Sequence, residues 1–403
     1  MSRPQIEGSL LWRAMTSAPR MALQYVLLFG ASGVTLPFAG LWFRSQGLSG
    51  TQIGVLLAIP MLARALTGPL IAVWADGFTH RRSPIALLGL AMAAGYGGAG
   101  LVQGIVPWAV FWLIGASAAA ALIPLSDVLT LKVARREGFP FSLPRGCGSA
   151  AFVIANVVMG VLLTRTSTDV VIVWAVSASL LIAVTAWRFL PAERVGEDGP
   201  LSGFERFRGL GRLAADPVFM TAIFAVGAVQ AAHAFYYGFS AILWRAQGVA
   251  ESMTGLLWAF SVMVEIGFMW VVEPWRRKRG IGPWFILALG AGAAVLRWTA
   301  MAFAPPLWLL WPLQALHALT FAATYLAGVQ IVERLCPPDN HTAAQTLSSA
   351  LSAGVLIGLA TLAGGPLYDA FGPRAYLAMA GLALVGGVTG VVLARRLEIS
   401  GRA

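Results

Sequence analysis

The sequence predicts an all-α membrane protein, with twelve transmembrane helices in two pseudo-symmetric six-helix bundles. Three observations carry this expectation. Of 403 residues, 58% are apolar and only 11% charged, against about 25% charged in ordinary soluble domains. Apolar stretches of about 20 residues, long enough to cross a hydrocarbon core of about 30 Å, recur along the whole chain. The chain also repeats itself half a length apart. Arg44-Ser45-Gln46-Gly47-Leu48, followed by Gly54-Val55-Leu56, returns as Arg245-Ala246-Gln247-Gly248-Val249, followed by Gly255-Leu256-Leu257, an offset of about 201 residues. In both copies an apolar segment ending in aromatic residues, Trp42-Phe43 or Trp244, runs through a polar turn into a second apolar segment. Two-fold repeats of membrane segments are the build of secondary transporters.

The first six spans fall at 20–43, 52–75, 83–103, 107–131, 146–166 and 168–190. The first is too long for a signal-peptide core and lacks a small-x-small cleavage site, so it is expected to remain as a helix. Pro37, Pro60, Pro69 and the cluster Gly95-Tyr96-Gly97-Gly98 lie inside spans, where membrane helices tolerate such residues. That cluster and Gly146-Cys147-Gly148-Ser149-Ala150 fit close helix crossings. A polar, Gly-rich stretch at 191–215 is the one real shift in composition and reads as the linker. The last six spans fall at 216–243, 252–273, 281–303, 306–333, 342–368 and 372–396. The expected organisation is therefore an N-terminal bundle at 1–190, a cytoplasmic linker at 191–215 and a C-terminal bundle at 216–403.

The formal net charge of +11 is a topology signal rather than a nucleic-acid footprint, because the basic residues collect in alternate loops. Arg3, Arg13 and Arg20 precede the first span, Arg81 and Arg82 follow the second, and Lys132, Arg135 and Arg136 follow the fourth. Arg188, Arg194, Arg206, Arg208 and Arg212 lie about the linker, and Arg276-Arg277-Lys278-Arg279, Arg334 and Arg395-Arg396 complete the series. The opposite loops hold Arg44, Arg165, Arg245 and Arg374. By the positive-inside rule both termini and the linker are cytoplasmic, in a multi-pass plasma membrane protein of bacterial inner-membrane type. Cys147 and Cys336 form no disulfide framework. No Gly-x4-Gly-Lys-Ser/Thr phosphate loop is present, and no metal or cofactor is expected. The partners expected are a lipid bilayer and a small-molecule substrate.

Ionisable groups at membrane depth are costly and mark function by default. They are Arg64, Asp127, Arg145, His233, Glu265, Arg297 and His317. Polar residues accompany them at helical spacing: Gln230, His233, Tyr237 and Ser240; Gln314, His317, Thr320 and Thr324; Arg145, Ser149 and Asn156; Gln345, Ser348 and Ser352. Stripes from both halves predict one shared polar cavity. Each group also has a plain reading. Asp127 with Arg145, or Glu265 with Arg297, would serve as structural ion pairs; His233 beside Tyr236 and Tyr237 would be a hydrogen-bonded core histidine; Arg64 would snorkel. A carboxylate at membrane depth must be paired or hold a proton, and either state suits a proton-coupled carrier.

The residues resemble a known family. The whole chain is similar to the major facilitator superfamily, in particular to the branch holding the phenylpropionate permease and more distantly to the galactoside–proton symporter. The segments that carry this are Leu36-Pro37-Phe38-x3-Trp42 through Leu48, the long run from Gln230 through His233, Tyr236 and Tyr237 to Trp244, and Arg297-Trp298. Asp76 with Arg81-Arg82 resembles the superfamily's gating motif, although Ala72 and Thr79 stand where it has glycines and Gly77 takes its basic position. The resemblance implies a substrate-binding pair in Asp127 and Arg145, and proton coupling through Glu265 and His317 with Asp127. It sets Arg297 on the symporter's ninth-helix arginine. It also implies a carrier that works as a monomer. Thr320 departs from it, occupying the place of the proton-carrying glutamate; threonine does not titrate in the required range.

The function expected is proton-coupled import of a small organic anion, such as an aromatic or phenylalkanoic acid, by alternating access. Buried arginines pair a carboxylate, and Tyr236, Tyr237 and Trp298 flank a ring. The alternatives are a sugar or nucleoside symporter, a drug/proton antiporter, and a membrane sensor that does not transport.

Overall fold

In hydrocarbon every backbone polar group has to be satisfied within its own segment, so apolar spans fold as helices. The computed structural model describes residues 17–195, 210–337 and 340–399. Arg3, Arg13, Arg206, Arg208 and most of the 191–215 linker lie outside the described residues. Among those described, eleven helical runs are long and apolar enough to cross a membrane, the last being Ala343–Ile399. That run is two helices, because Gly372 at φ 52° interrupts it and Gly372–Ala375 forms a single 3-10 turn. Twelve spans result, each within a few residues of its expected place. They are α1 (Ser17–Ser45), α2 (Gly50–Asp76), α3 (Arg82–Leu101), α4 (Ile105–Glu137), α5 (Ser142–Leu163) and α6 (Val170–Arg188). Then come α7 (Pro217–Ala246), α8 (Glu251–Lys278), α9 (Pro283–Met301), α10 (Leu307–Leu335), α11 (341–371) and α12 (Tyr376–Ile399).

The repeated hairpins share one backbone. Gly47 and Gly248 stand at φ 85° and 81°. Each donates its N–H to the carbonyl three residues back, Arg44 or Arg245, at 3.1 Å. The next residue reaches further back, Leu48 to the Phe43 carbonyl and Val249 to that of Trp244. A helix ended by a left-handed residue in this way favours glycine, since a Cβ there is strained. The arginines diverge between copies: Arg44 donates to the Leu48 carbonyl at 3.0 Å, whereas Arg245 pairs with Glu251 at 3.0 Å.

The chain forms two compact units. The first comprises residues 1–35, 67–155 and 169–199, the second 36–66, 156–168 and 200–403. In the first, α3 packs closely on α4: a Cβ on Gly95 would overlap the Gly115 amide, and one on Gly98 would enter the Phe111 ring. Small residues let membrane helices approach this far. The sequence clusters are only partly used so, since Gly146 has open space around its Cβ position and Gly97 meets nothing nearer than 3.7 Å. In the second unit the repeat returns as packing. A Cβ on Gly54 would lie within 3.0 Å of the Gly365 backbone, and its repeat partner Gly255 lies against the Asn156 carbonyl and Gly160. Asp369 caps α2 from 318 residues away, accepting from the Gly50 and Thr51 amides at 2.7 Å each in the manner of an N-terminal helix cap.

Gly95→Ala is expected to destabilise the protein by about 1–3 kcal/mol through overpacking, while Gly97→Ala stays within about 0.5 kcal/mol of wild type. Thermal unfolding of the two purified variants in detergent checks this; equal melting temperatures would contradict the crossing.

Candidate functional site

Two polar groups stand out, one in each unit. In the first unit, α1, α4 and α5 bring together Tyr25, Asp127 and Arg145. The Tyr25 hydroxyl donates to Asp127 Oδ1 at 2.5 Å, and Arg145 Nε lies 3.6 Å from the same oxygen. Arg145 also covers aromatic faces, its Cζ 4.2 Å from the centroid of Phe29 and 5.5 Å from that of Tyr25. Asp127 and Arg145 therefore do meet, and both keep part of their surface open, at 30% and 34%. Tyr25 is the member that the sequence reading missed; its only signal is a phenol inside an apolar span.

In the second unit, α7, α8, α9, α10 and α12 build a larger network around Arg297. Irregular helices position it. The α7 ladder breaks at His233, whose ring Nδ1 and backbone N–H both bond the Gln230 carbonyl, at 3.0 and 3.1 Å; a side chain inserted into the ladder kinks a helix. In α10, Pro312 removes one ladder bond and the turn Ala318–Ala323 widens to π geometry directly after His317. π turns cluster at functional sites. A second π turn, Phe268–Val272, follows Glu265 in α8, and a third, Ala350–Leu356, lies in α11.

Arg297 is fully buried. Its Nη2 donates to Gln314 Oε1 at 2.7 Å, and its Nη1 to His317 Nδ1 at 3.1 Å and Thr320 Oγ1 at 3.2 Å. Its guanidinium lies 4.5 Å from the Trp298 ring and 4.9 Å from that of Tyr236, contacts worth about 2 kcal/mol each when desolvated. No carboxylate pairs with it among the described residues. The plain alternative, a Glu265–Arg297 salt bridge, does not form; Glu265 Oε2 lies 3.5 Å from His317 Nε2 instead.

Hydrogen-bond polarity then fixes the histidines. A guanidinium only donates, so His317 accepts at Nδ1 and carries its proton on Nε2, facing Glu265. The Gln230 carbonyl only accepts, so His233 is protonated at Nδ1 and accepts at Nε2 from the Thr320 hydroxyl, 3.0 Å away. Thr320 thus joins His233 to Arg297, a role that its identity as a replaced glutamate did not disclose. Aromatic rings wall the group: Tyr236 stacks on Trp258 at 4.6 Å and Trp298 on Tyr376 at 5.6 Å. Tyr237 stacks on His233 at 5.8 Å.

The remaining candidates lie elsewhere. Arg64 is exposed on α2, and Asp76 is exposed at that helix's end. The Arg81 backbone N–H donates to the Glu193 carbonyl at 2.9 Å, and Arg82 Nη1 to the Leu190 carbonyl at 3.4 Å. Glu193, buried at 6%, also pairs with Arg136. The corner expected of Asp76, Arg81 and Arg82 thus includes an acid, Glu193, that the sequence reading did not single out. Among the described residues no cluster of metal-ligating side chains occurs.

Twelve membrane helices carrying charged and polar groups inside their packing, with the membrane hairpin repeated at half length, define a secondary transporter. The chain belongs to the MFS_1 like family, whose model matches residues 19–378. It is 28% identical over 370 residues to the probable 3-phenylpropionic acid transporter of Escherichia coli K12, covering 90% of this chain and 94% of that protein. It is also 28% identical over 397 residues to the maltose permease of Geobacillus stearothermophilus, covering 97% and 98%. Among solved structures, the nucleoside transporter NupG superposes with a TM-score of 0.82 at 16% identity, over 94% of this chain and 99% of that one. A bacterial homologue of the lysosomal transporter Spinster superposes at 0.73 with 17% identity, over 96% and 98%. These two establish the fold. The chain is a major facilitator transporter and not an enzyme.

Thr320→Val keeps the shape but leaves Arg297 Nη1 and His233 Nε2 each short of a partner. A loss of about 1–3 kcal/mol of stability is expected, with Thr320→Ser close to wild type. Melting temperatures compared across the three proteins measure it; equal losses for Val and Ser would exclude the hydroxyl bridge.

Proposed function

We propose that this transporter imports a small organic anion, with an aromatic or phenylalkanoic acid as the leading class, by proton-coupled alternating access. The observation that carries the reading is Arg297, a fully buried cation whose polar partners, Gln314, His317 and Thr320, are all uncharged. A buried charge without a counter-ion is costly, and a carboxylate supplies the missing charge with paired hydrogen bonds. The surrounding rings of Tyr236, Tyr237 and Trp298 suit a flat apolar tail. Similarity to a protein named as a phenylpropionic acid transporter supports the same class. His233 belongs to the wall of this site, and Asp127 with Arg145 is the substrate-binding pair of the first unit. Glu265 and His317 carry the proton, with Asp127 as the other acid available. Asp76, Arg81 and Arg82 belong to the gate.

The carrier works as a monomer in the bacterial inner membrane with both termini cytoplasmic, following the alternation of basic loops. A sugar or nucleoside is the second reading, favoured by the similarity to a maltose permease. Reconstitution into proteoliposomes separates the two. Uptake of radiolabelled 3-phenylpropionate driven by an inward proton gradient supports the first; uptake of maltose or a nucleoside without uptake of the acid supports the second. Extrusion of amphipathic cations would instead indicate drug antiport.

Arg297→Ala and Arg145→Ala are each expected to abolish uptake while the protein still inserts and elutes as a folded species. Wild-type uptake by either variant removes that arginine from the mechanism.

Glu265→Gln retains size and hydrogen bonding but cannot titrate. It is expected to abolish gradient-driven accumulation while exchange of labelled for unlabelled substrate persists, because exchange needs no net proton movement. If the variant still concentrates substrate against a gradient, Asp127 takes the role.

A further inference from the structure

The network around Arg297 contains one side chain whose orientation is forced. Gln314 is fully buried on α10, and its Oε1 accepts from both Arg297 Nη2, at 2.7 Å, and the Tyr236 hydroxyl, at 3.0 Å. Turning the amide over would set its NH2 against the guanidinium, donor against donor, and forfeit the bond to Arg297. The amide is therefore fixed, and its Nε2 has no hydrogen-bond partner.

Nε2 is not alone. Arg297 Nε, Trp298 Nε1 and the Tyr376 hydroxyl are also buried without partners. They belong to one assembly: Arg297 Cζ lies 4.5 Å from the Trp298 ring, and Trp298 stacks on Tyr376 with 6° between the planes. Three of the four unmatched atoms can only donate, and the fourth is a hydroxyl. Such groups are expensive to bury unpaired. What satisfies them is a ligand that accepts without donating. A carboxylate fits with two oxygens that only accept and a negative charge for Arg297; a sugar or nucleoside hydroxyl can also accept, but it brings no charge and a hydrogen for which these N–H groups offer no acceptor.

We propose that Gln314 is the positioning residue that makes this carrier prefer carboxylates. Its carbonyl aims Arg297 and Tyr236, and its amide nitrogen adds a donor for the ligand's second oxygen. The Tyr376 hydroxyl and the Trp298 indole N–H, buried without partners in the adjoining stacked rings, are further unmatched groups beside it. This rests on the organic-anion reading above and adds to it the residue that sets selectivity among ligands sharing one ring.

The test compares 3-phenylpropionate with 3-phenylpropanol, which carries the same ring and chain but no charge, by titration calorimetry on the purified full-length protein, with uptake measured in parallel. Gln314→Glu has the same shape, exchanges the donor for an acceptor and sets a carboxylate beside Arg297. The acid-to-alcohol affinity ratio is expected to fall at least about ten-fold, equal to about 1.4 kcal/mol, the acid losing more affinity than the alcohol. An effect that was structural alone would lower both affinities together. Gln314→Met, which removes acceptor and donor without adding charge, serves if the first variant does not fold, and should lower the ratio at least about three-fold. A ratio within about two-fold of wild type in a folded variant, while the wild type imports the acid, overturns the role of Gln314 and leaves the organic-anion reading standing. Import of maltose but not of the acid by the wild type overturns both.

Discussion

Taking a guanidinium out of water costs several kcal/mol even after the protein relaxes, and much of the second unit is arranged around that cost at Arg297. Three neutral groups accept its hydrogens, and two aromatic faces approach within 5 Å. Each of those partners is in turn held by something else. Gln314 is tied by Tyr236, Thr320 by His233, His317 by Glu265, and the two rings by Trp258 and Tyr376. A single buried charge thus dictates the orientation of side chains on five helices, α7 to α10 and α12. Every hydrogen-bond partner in its immediate shell is uncharged.

The helices that supply this shell are the irregular ones. Among the described residues the three π turns lie in α8, α10 and α11, and the α7 ladder breaks at His233, whereas α1 to α6 run as α-helix throughout their described lengths. A widened turn leaves a carbonyl available to neighbours, and Gln230 uses one, donating from Nε2 to the Phe321 carbonyl at 3.1 Å and to Thr324 Oγ1 at 2.6 Å. The same departures that cost helix stability bring His317 and Thr320 onto Arg297 together. By contrast, the first unit presents Asp127 and Arg145 from regular helices, and its pair is looser and more open.

Much of the fold is legible in the sequence because hydrocarbon leaves so few options. Span length, glycine at the two hairpin turns and the half-length repeat each follow from a single physical demand, and each reappears in the backbone. The site is legible only as a set of expensive residues. Composition marks Arg297, His317 and Glu265 as costly at that depth, but which of them meet depends on which way a kinked helix turns its face, and Glu265 meets His317 rather than Arg297. Neutral partners are hidden for a different reason. Gln314 shows in its polar stripe but not as the partner of Arg297, Tyr25 and Tyr376 carry no charge to betray them, and Glu193 lies in a stretch whose polarity resembles that of any linker.

The fixed polarity of the hydrogen bonds has a wider consequence. From the Gln230 carbonyl through His233, Thr320, Arg297 and His317 to Glu265, each contact has one permitted donor, so the chain of groups holds a set inventory of hydrogens. A hydrogen added at His317 Nδ1 would face the Arg297 guanidinium, donor against donor, whereas the Glu265 carboxylate at the end of the chain can take one without reversing any contact.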